Sequence, residues 1–496
     1  MSLLRVNNEA TTLLRDCNRD IEEVINMKID QQKNYFWLSS SDRNDYVVTK
    51  TLPTPVLQTG GEVIRPKAGS WDAGRPLQPA TLPRWGFVVI EPDARAQADY
   101  AETIALIQKC GRDMGMSVAE PVLQQFYLQF DDLMNTLVKC KEKGVKLLFV
   151  VLPDGERDYY HKVKQLAERK VGILTQCLKE QTARRGLKSQ AIKNILLKVN
   201  AKLMGVNHAL HPSSMPSCIR EPQRVMVVGG HVIHPTPEQL SLYKSNVPSI
   251  AAVTASIDPQ CAKYNVTMSV QVSEKGEILD FENMMVEHLD VYWRHHKALP
   301  TTIIYFRNCM PVTLYDEVES YELRALSAAF WRASQPSQKV YDPCTWPKIL
   351  FIVVQSPRNA RLETVDWGVT WIKQKTTRPG IIIYDEEDPM SSESEMNFSM
   401  VSHQGAAATR FSTYHIYFND GVPYTQLERL AYSLCYTCGR GPRSVSCPTP
   451  LYYARLACRR ALSLTYGKKY PALPTGASIR LRARKSLLEY GRMFFV

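Results

Sequence analysis

The sequence predicts an α/β protein built from at least two units. Three observations carry this reading: continuous apolar runs of strand length, amphipathic stretches alternating with them from about residue 84, and a second series in which several strands precede helices. In chain order, residues 1–80 come first and read as a linker or strap. A polar helical stretch at 18–27 is followed by a segment dense in Pro and Gly, LPTPVLQTGGEVIRPKAGSWDAGRPLQPATLP, whose composition does not support an independent core. The first unit, 81–215, opens with RWGFVVIEP as a buried strand, then a helix at 98–114 and a long amphipathic helix at 122–144. KLLFVVLP is the next strand, closed by the turn Asp154-Gly155, and two helices follow at 159–182 and 188–203. Such alternation predicts a parallel sheet covered by helices. The loop HPSSMPS (211–217) leads into the second unit, 216–496, where VMVVGG, NVTMSVQVS, TTIIYFRN and KILFIVVQS are successive strands. Helices at 280–297, 313–333, 425–438 and 450–464 interleave with them, which suits a mixed sheet.

Bulk properties narrow the class. The chain has 496 residues, 44% apolar and 22% charged, as expected of globular domains with sizeable cores. Its net charge of +12 favours a polyanionic partner. The N-terminal segment lacks the apolar core of a signal peptide, and no stretch approaches the ~18–20 apolar residues of a membrane span, so no membrane partner is expected. Twelve scattered cysteines point to a reducing compartment and free thiols. Cys435-x-x-Cys438 has no second pair at ligand spacing and falls on an apolar helical pattern, so both are read as core residues rather than zinc ligands.

Much of the positive charge is concentrated. Residues 160–202 hold eleven Lys or Arg against two Glu, Glu168 and Glu180. Some of these are ordinary solvated helix residues, as Lys179, Arg184, Arg185 and Lys188 would be. Others have pointed spacing. Tyr160 and Lys164 are separated by four residues, as are Lys198 and Lys202, so each pair shares a helix face. Read as one continuous helix, the spacing from Lys164 also brings Gln176 to nearly the same face. A stacking phenol, an amide and three ammonium groups make a pocket for a terminal nucleotide with its phosphate.

These residues, YHKVK (160–164), QC (176–177) and KVNAK (198–202), resemble the guide 5′-phosphate motif of the Argonaute MID domain. The resemblance implies that Tyr160, Lys164, Gln176, Lys198 and Lys202 grip a guide's 5′ phosphate, joined by Arg460 from the Piwi module. It also implies a Rossmann-like MID domain followed by an RNase H-like Piwi domain. The loop LPDGERDYY departs from the family's shorter, proline-closed loop, which leaves the 5′-base preference open. No cofactor for catalysis is implied, beyond room for a single Mg²⁺ at the guide phosphate.

Three further strings resemble the Piwi catalytic motifs: VMVVGGHVIHP (225–235), TTIIYFRNC (301–309) and RSVSCPTPLYYARLACRR (443–460). The family supplies Asp, Glu, Asp and often His to two divalent metals. Here His231, Asn308 and Arg455 stand at three of those positions, and only Glu277, in KGEILDF, remains a carboxylate. His231 brings no negative charge, Asn308 offers a neutral oxygen, and Arg455 repels a cation. No metal site and no cutting are expected, unless Asp258 or another carboxylate rebuilds the site. Arg455 is suited instead to duplex phosphates, alongside Arg443, Arg459 and Arg460, or to a structural ion pair. Arg443, Ser446 and Tyr452 match family positions near the guide backbone, and the closing RMFFV resembles the buried aromatic tail of eukaryotic Argonautes.

The resemblance covers about 50–496, with no counterpart of the family's N and PAZ domains. The expected function is a guide-RNA-binding protein of RNA-mediated silencing without slicer activity. Its partners would be a small guide RNA, a complementary target RNA and silencing-complex proteins. The expected location is the cytoplasm, with the nucleus left open. The alternatives are a metal-dependent guide-directed endonuclease with a rearranged site, and a protein scaffold that has lost RNA.

Overall fold

The computed structural model describes residues 34–39, 44–91, 97–155, 157–184, 189–220, 224–236, 247–272, 276–308, 315–335, 346–355, 361–363, 378–384, 397–403, 411–468, 473–474, 476–483, 487 and 493–496. The helical stretch expected at 18–27 lies outside them. Strands β1 (Asn34–Ser39) and β2 (Asn44–Thr51) form an antiparallel pair, followed by the short β3 (Leu57–Gln58) and β4 (Val63–Ile64). The first unit then runs β5 (Thr81–Leu82), β6 (Trp85–Ile90), α1 (Gln97–Asp113), β7 (Ser117–Val118), β8 (Leu123–Leu128), α2 (Leu133–Glu142), β9 (Leu147–Leu152) and α3 (Arg157–Lys164). A π-helical turn, Gln165–Val171, extends α3 and is followed by β10 (Leu174–Lys179), α4 (Glu180–Arg184), α5 (Ser189–Lys202) and β11 (Ala209–Leu210). The sheet order is β10-β9-β6-β8, all parallel. Its central strands WGFVVI and LLFVVL are buried throughout, as strands covered on both faces must be.

Two expected helices are interrupted by strands. Within 122–144 only 133–142 is α-helical, because LQQFYL pairs with β6 as an edge strand. Within 159–182 the helix stops at Gly172, which takes φ 83° and donates its N–H to the Ala167 carbonyl. That left-handed cap suits glycine, and the chain turns back as β10 beside β9.

The second unit comprises β12 (Val225–Ile233), β13 (Ser249–Ser256), β14 (Tyr264–Gln271), α6 (Phe281–His296), β15 (Thr302–Asn308), α7 (Tyr315–Ser334), β16 (Lys348–Gln355), β17 (Arg361–Glu363), β18 (Ile381–Tyr384), β19 (Phe398–Val401), β20 (Ser412–Asn419), α8 (Tyr424–Leu434), α9 (Thr449–Thr465) and β21 (Ser478–Leu481). One mixed sheet runs β17-β1-β2-β18-β19-β20-β16-β15-β12-β13-β14-β21. The N-terminal segment expected to be irregular therefore supplies two strands to this sheet. Strand β13, SIAAVTAS, escaped the sequence reading because its small residues carry little strand signal. It is nonetheless buried along its whole length between β12 and β14.

Helix α9 packs across β12 and β13. A Cβ on Gly229 would lie 2.2 Å from the Pro450 carbonyl carbon, so glycine is what lets the helix approach so closely. The Thr254 hydroxyl donates to the Pro450 carbonyl at 2.7 Å and fixes the start of the helix over the sheet. The tail closes the core: Phe494 and Phe495 are buried, and Phe495 meets Tyr453 edge-on. Cys435 and Cys438 are free, buried thiols. No helix among the described residues is long and apolar enough to cross a membrane.

Candidate nucleic-acid interface

Helix α3 carries Tyr160 and Lys164, β10 carries Gln176, α5 carries Lys198 and Lys202 in its last turns, and α9 carries Arg460. All six expected residues line one cavity of about 340 Å³. Gln176 arrives by a different route from the one its spacing suggested. It sits on a strand that runs back alongside β9, not on a continuation of α3. Arg440, Arg459, Cys177 and the tail residues Phe495 and Val496 also line the cavity. Arg440 was not legible in the sequence beyond its basic loop, CGRGPR. Phe495 both anchors the tail and forms part of the cavity wall.

Three of the cations, Lys164, Lys202 and Arg460, are buried. Lys164 is 1% exposed, and its ammonium donates to the Thr175 carbonyl at 3.1 Å and the Thr175 hydroxyl at 2.6 Å. It also lies 5.6 Å from the centre of the Tyr160 ring. Lys202, 3% exposed, donates to the same Thr175 carbonyl at 3.1 Å and to Gln176 Oε1 at 2.8 Å. Burial, then the charges of Lys164 and Arg460, pushes Lys202 well below the ordinary lysine range. Burial and Arg440 push Lys198 down as well. Burial opposes the Arg460 charge, but Glu168, bonded to its guanidinium, together with Tyr160 and Cys177 holds the pKa up on balance. Convergent, poorly hydrated cations are costly in isolation and are relieved by an anion.

The second cluster lies at the ends of the adjacent parallel strands β12 and β15, where Gly230 is in register with Arg307. His231 and Asn308 each follow those partners by one residue. Asn308 Oδ1 accepts from the Val232 N–H at 3.0 Å and from Arg307 Nη1, so its one neutral oxygen is already committed. Arg307 is buried against Glu322, whose carboxylate also accepts from the Tyr305 hydroxyl at 2.6 Å and the Ile278 N–H at 2.9 Å. Burial, then Arg455, Arg307 and Arg459, pushes His231 well below the ordinary histidine range, so the imidazole is neutral at pH 7. Glu277, half-buried, sits in the turn ahead of α6, with its carbonyl accepting from Gln271. Asp258 does not adjoin this cluster. His231 pairs with Ala252, and Asp258 lies six residues further along the β13 direction, roughly 20 Å away at strand rise. There its oxygens accept the Ala262 and Lys263 N–H groups. A pair of magnesium ions requires several anionic oxygens, and the residues at these positions do not fit that requirement.

Arg443, Ser446 and Tyr452 fall outside the cavity lining. Arg443 is exposed and bridges to Ser70. Ser446 accepts from the Ser412 hydroxyl through its carbonyl, and Tyr452 packs half-buried in the first turn of α9. His234, just past the end of β12, makes a 2.8 Å contact with the Ser249 hydroxyl.

A parallel-sheet unit and a large mixed sheet, joined by a cationic cavity, define an Argonaute-type MID–Piwi lobe. The Piwi domain family model matches residues 147–465, and the chain belongs to the Argonaute family. It is 29% identical over 428 residues to protein argonaute-2 of Drosophila melanogaster, covering 84% of this chain and 34% of that protein. The chain thus spans about a third of that relative's length. Its fold is similar to the C-terminal lobe of a budding yeast Argonaute, with a TM-score of 0.76 at 19% identity, covering 94% of this chain and 98% of the other. It is also similar to Kluyveromyces polysporus Argonaute with a guide RNA, with a TM-score of 0.75 at 19% identity, covering 99% and 62%.

Proposed function

We propose that this chain binds a small guide RNA by its 5′ phosphate and acts in RNA silencing by occupying a target rather than cutting it. The observation that carries the first half is the convergence of Lys164, Lys198, Lys202, Arg440, Arg459 and Arg460 on one cavity beside Tyr160. Packing alone requires no such convergence, which weighs against a scaffold that has lost RNA. The second half rests on the neutral or cationic residues His231, Asn308 and Arg455 at the strand ends, and on the distance of Asp258 from them. Base pairing would then read the target sequence, with the protein holding backbone and shape. Room for a single magnesium ion at the guide phosphate, silencing-complex partners and a cytoplasmic location, with the nucleus left open, belong to the same reading through the family resemblance.

The test compares 5′-phosphorylated with 5′-hydroxyl RNA over a range of salt. With about five phosphates neutralised, log K should fall with log salt at a slope of roughly −3 to −4. Equal binding of the two RNAs would overturn the pocket assignment. Protein loaded with guide and mixed with a fully paired, labelled target, in magnesium or manganese, should leave the target intact. A product cut opposite the middle of the guide would overturn the second half.

A further inference from the structure

We propose that Glu168 is a positioning residue of the phosphate cavity, holding Arg460 and Lys164 from behind so that both present to the incoming phosphate. This rests on the guide-binding reading above. Glu168 lies on the π-helical turn, four residues past Lys164, and is 1% exposed. Its Oε1 accepts from Arg460 Nη1 and lies 3.6 Å from Lys164 Nζ. One carboxylate oxygen thus joins a cation of the first unit to a cation of the second. Glu168 is not part of the cavity lining, whereas both of its partners are. The carboxylate restrains the cations on the protein side and leaves the open side to the ligand.

The same turn also seizes the end of α9. Gln165 donates to the Ser463 carbonyl at 3.1 Å and the Tyr466 carbonyl at 2.8 Å, and Arg169 donates to the Leu464 carbonyl at 3.2 Å. Ser463 and Leu464 lie in the last turn of the helix and Tyr466 is its C-cap, where backbone carbonyls need partners from outside the helix. The π geometry widens the turn, a feature often found at functional sites. Gln165, Glu168 and Arg169 all reach α9, so one short segment both holds Arg460 and contributes to the docking of the two units.

The test separates positioning from simple charge. A carboxylate that merely opposed the phosphate would, on removal, leave a more positive cavity and tighter binding. A positioning carboxylate does the reverse. The readout is the ratio of affinities for 5′-phosphorylated and 5′-hydroxyl RNA, because a general loss of structure moves both together. In Glu168→Gln the ratio should fall tenfold or more, with 5′-hydroxyl binding nearly unchanged. Glu168→Asp keeps the charge on a shorter arm and should fall between parent and Gln variant. If the Gln variant fails to fold, the Asp variant alone decides: a lowered ratio supports the proposal. A ratio unchanged or raised in the folded variant overturns it. Absence of any preference in the parent protein would instead sink the guide-binding reading itself.

Discussion

Replacing Lys202 with methionine should stabilise the guide-free protein while removing much of its preference for a 5′ phosphate. The ammonium groups of Lys164 and Lys202 each lie 3.1 Å from the Thr175 carbonyl oxygen, so they are within twice that distance, about 6.2 Å, of one another. At an effective dielectric of ~20, two charges at that separation repel by about 3 kcal/mol. Burial adds to the cost, and the hydrogen bonds to Thr175 and Gln176 do not offset it, because the Lys202 pKa is pushed down on balance. The sign follows from proton linkage. The unfolded chain holds the Lys202 proton up to the ordinary lysine range, whereas the folded chain releases it at lower pH. Between those two values folding is opposed, and stability rises with pH. Methionine has no such term, so at pH 7 the variant should gain about 0.5–2 kcal/mol, and the gap should narrow as pH approaches the ordinary lysine value. Loss of one charge-assisted bond to phosphate, about 1.5–3 kcal/mol, should weaken 5′-phosphorylated RNA binding roughly 10- to 150-fold. Denaturant midpoints at neutral and alkaline pH, with RNA anisotropy titrations, measure both effects. A variant less stable than the parent by the same margin at both pH values would refute the reasoning.

Three other outcomes follow from the packing. Gly229→Ala places a Cβ against the Pro450 backbone and should cost about 1–3 kcal/mol or more in denaturant unfolding, whereas Gly61→Ala, which meets nothing, should be near neutral. Glu322→Gln leaves the buried Arg307 charge without its partner and should cost about 3–5 kcal/mol in the same assay. His288, enclosed by Asn265 and Thr267, has its pKa pushed down to about 3 by burial and then Arg480. The unfolded imidazole takes up its proton near pH 6.5 and the folded one only near pH 3, so this residue should remove about 4 kcal/mol of stability between pH 7 and 3. An acid titration of the melting transition checks it, and His288→Gln should flatten the curve.

The phosphate cavity was legible because its residues recur at short, ordered spacings whatever elements carry them. The elements themselves were less so. Gln176 was reached by counting helical turns through a segment that Gly172 stops and β9 recruits as a strand. LQQFYL joined a helical pattern only because a true helix begins five residues after it ends. β13 was missed because burial between two strands, not propensity, makes SIAAVTAS extended. Glu168 was counted as an opposing charge in a basic span. A sequence gives no means to see that it faces inward onto Arg460, since that contact joins residues 292 positions apart.

The two clusters obey one electrostatic rule with opposite consequences. At the cavity, cations converge with a single carboxylate behind them. At the strand ends, burial first and then Arg455, Arg307 and Arg459 suppress protonation of His231. Those guanidinium groups add positive potential, which opposes a dication more strongly than a proton. The same potential favours phosphate. Arg455 and Arg459 are four residues apart on one face of α9, about 6 Å along its axis, and Arg459 also lines the cavity. Under the proposed function, Arg455, which stands where the family resemblance implies a metal ligand, extends the phosphate-binding surface away from the guide's end, and the charge that favours backbone contact there is the same charge that disfavours a metal ion.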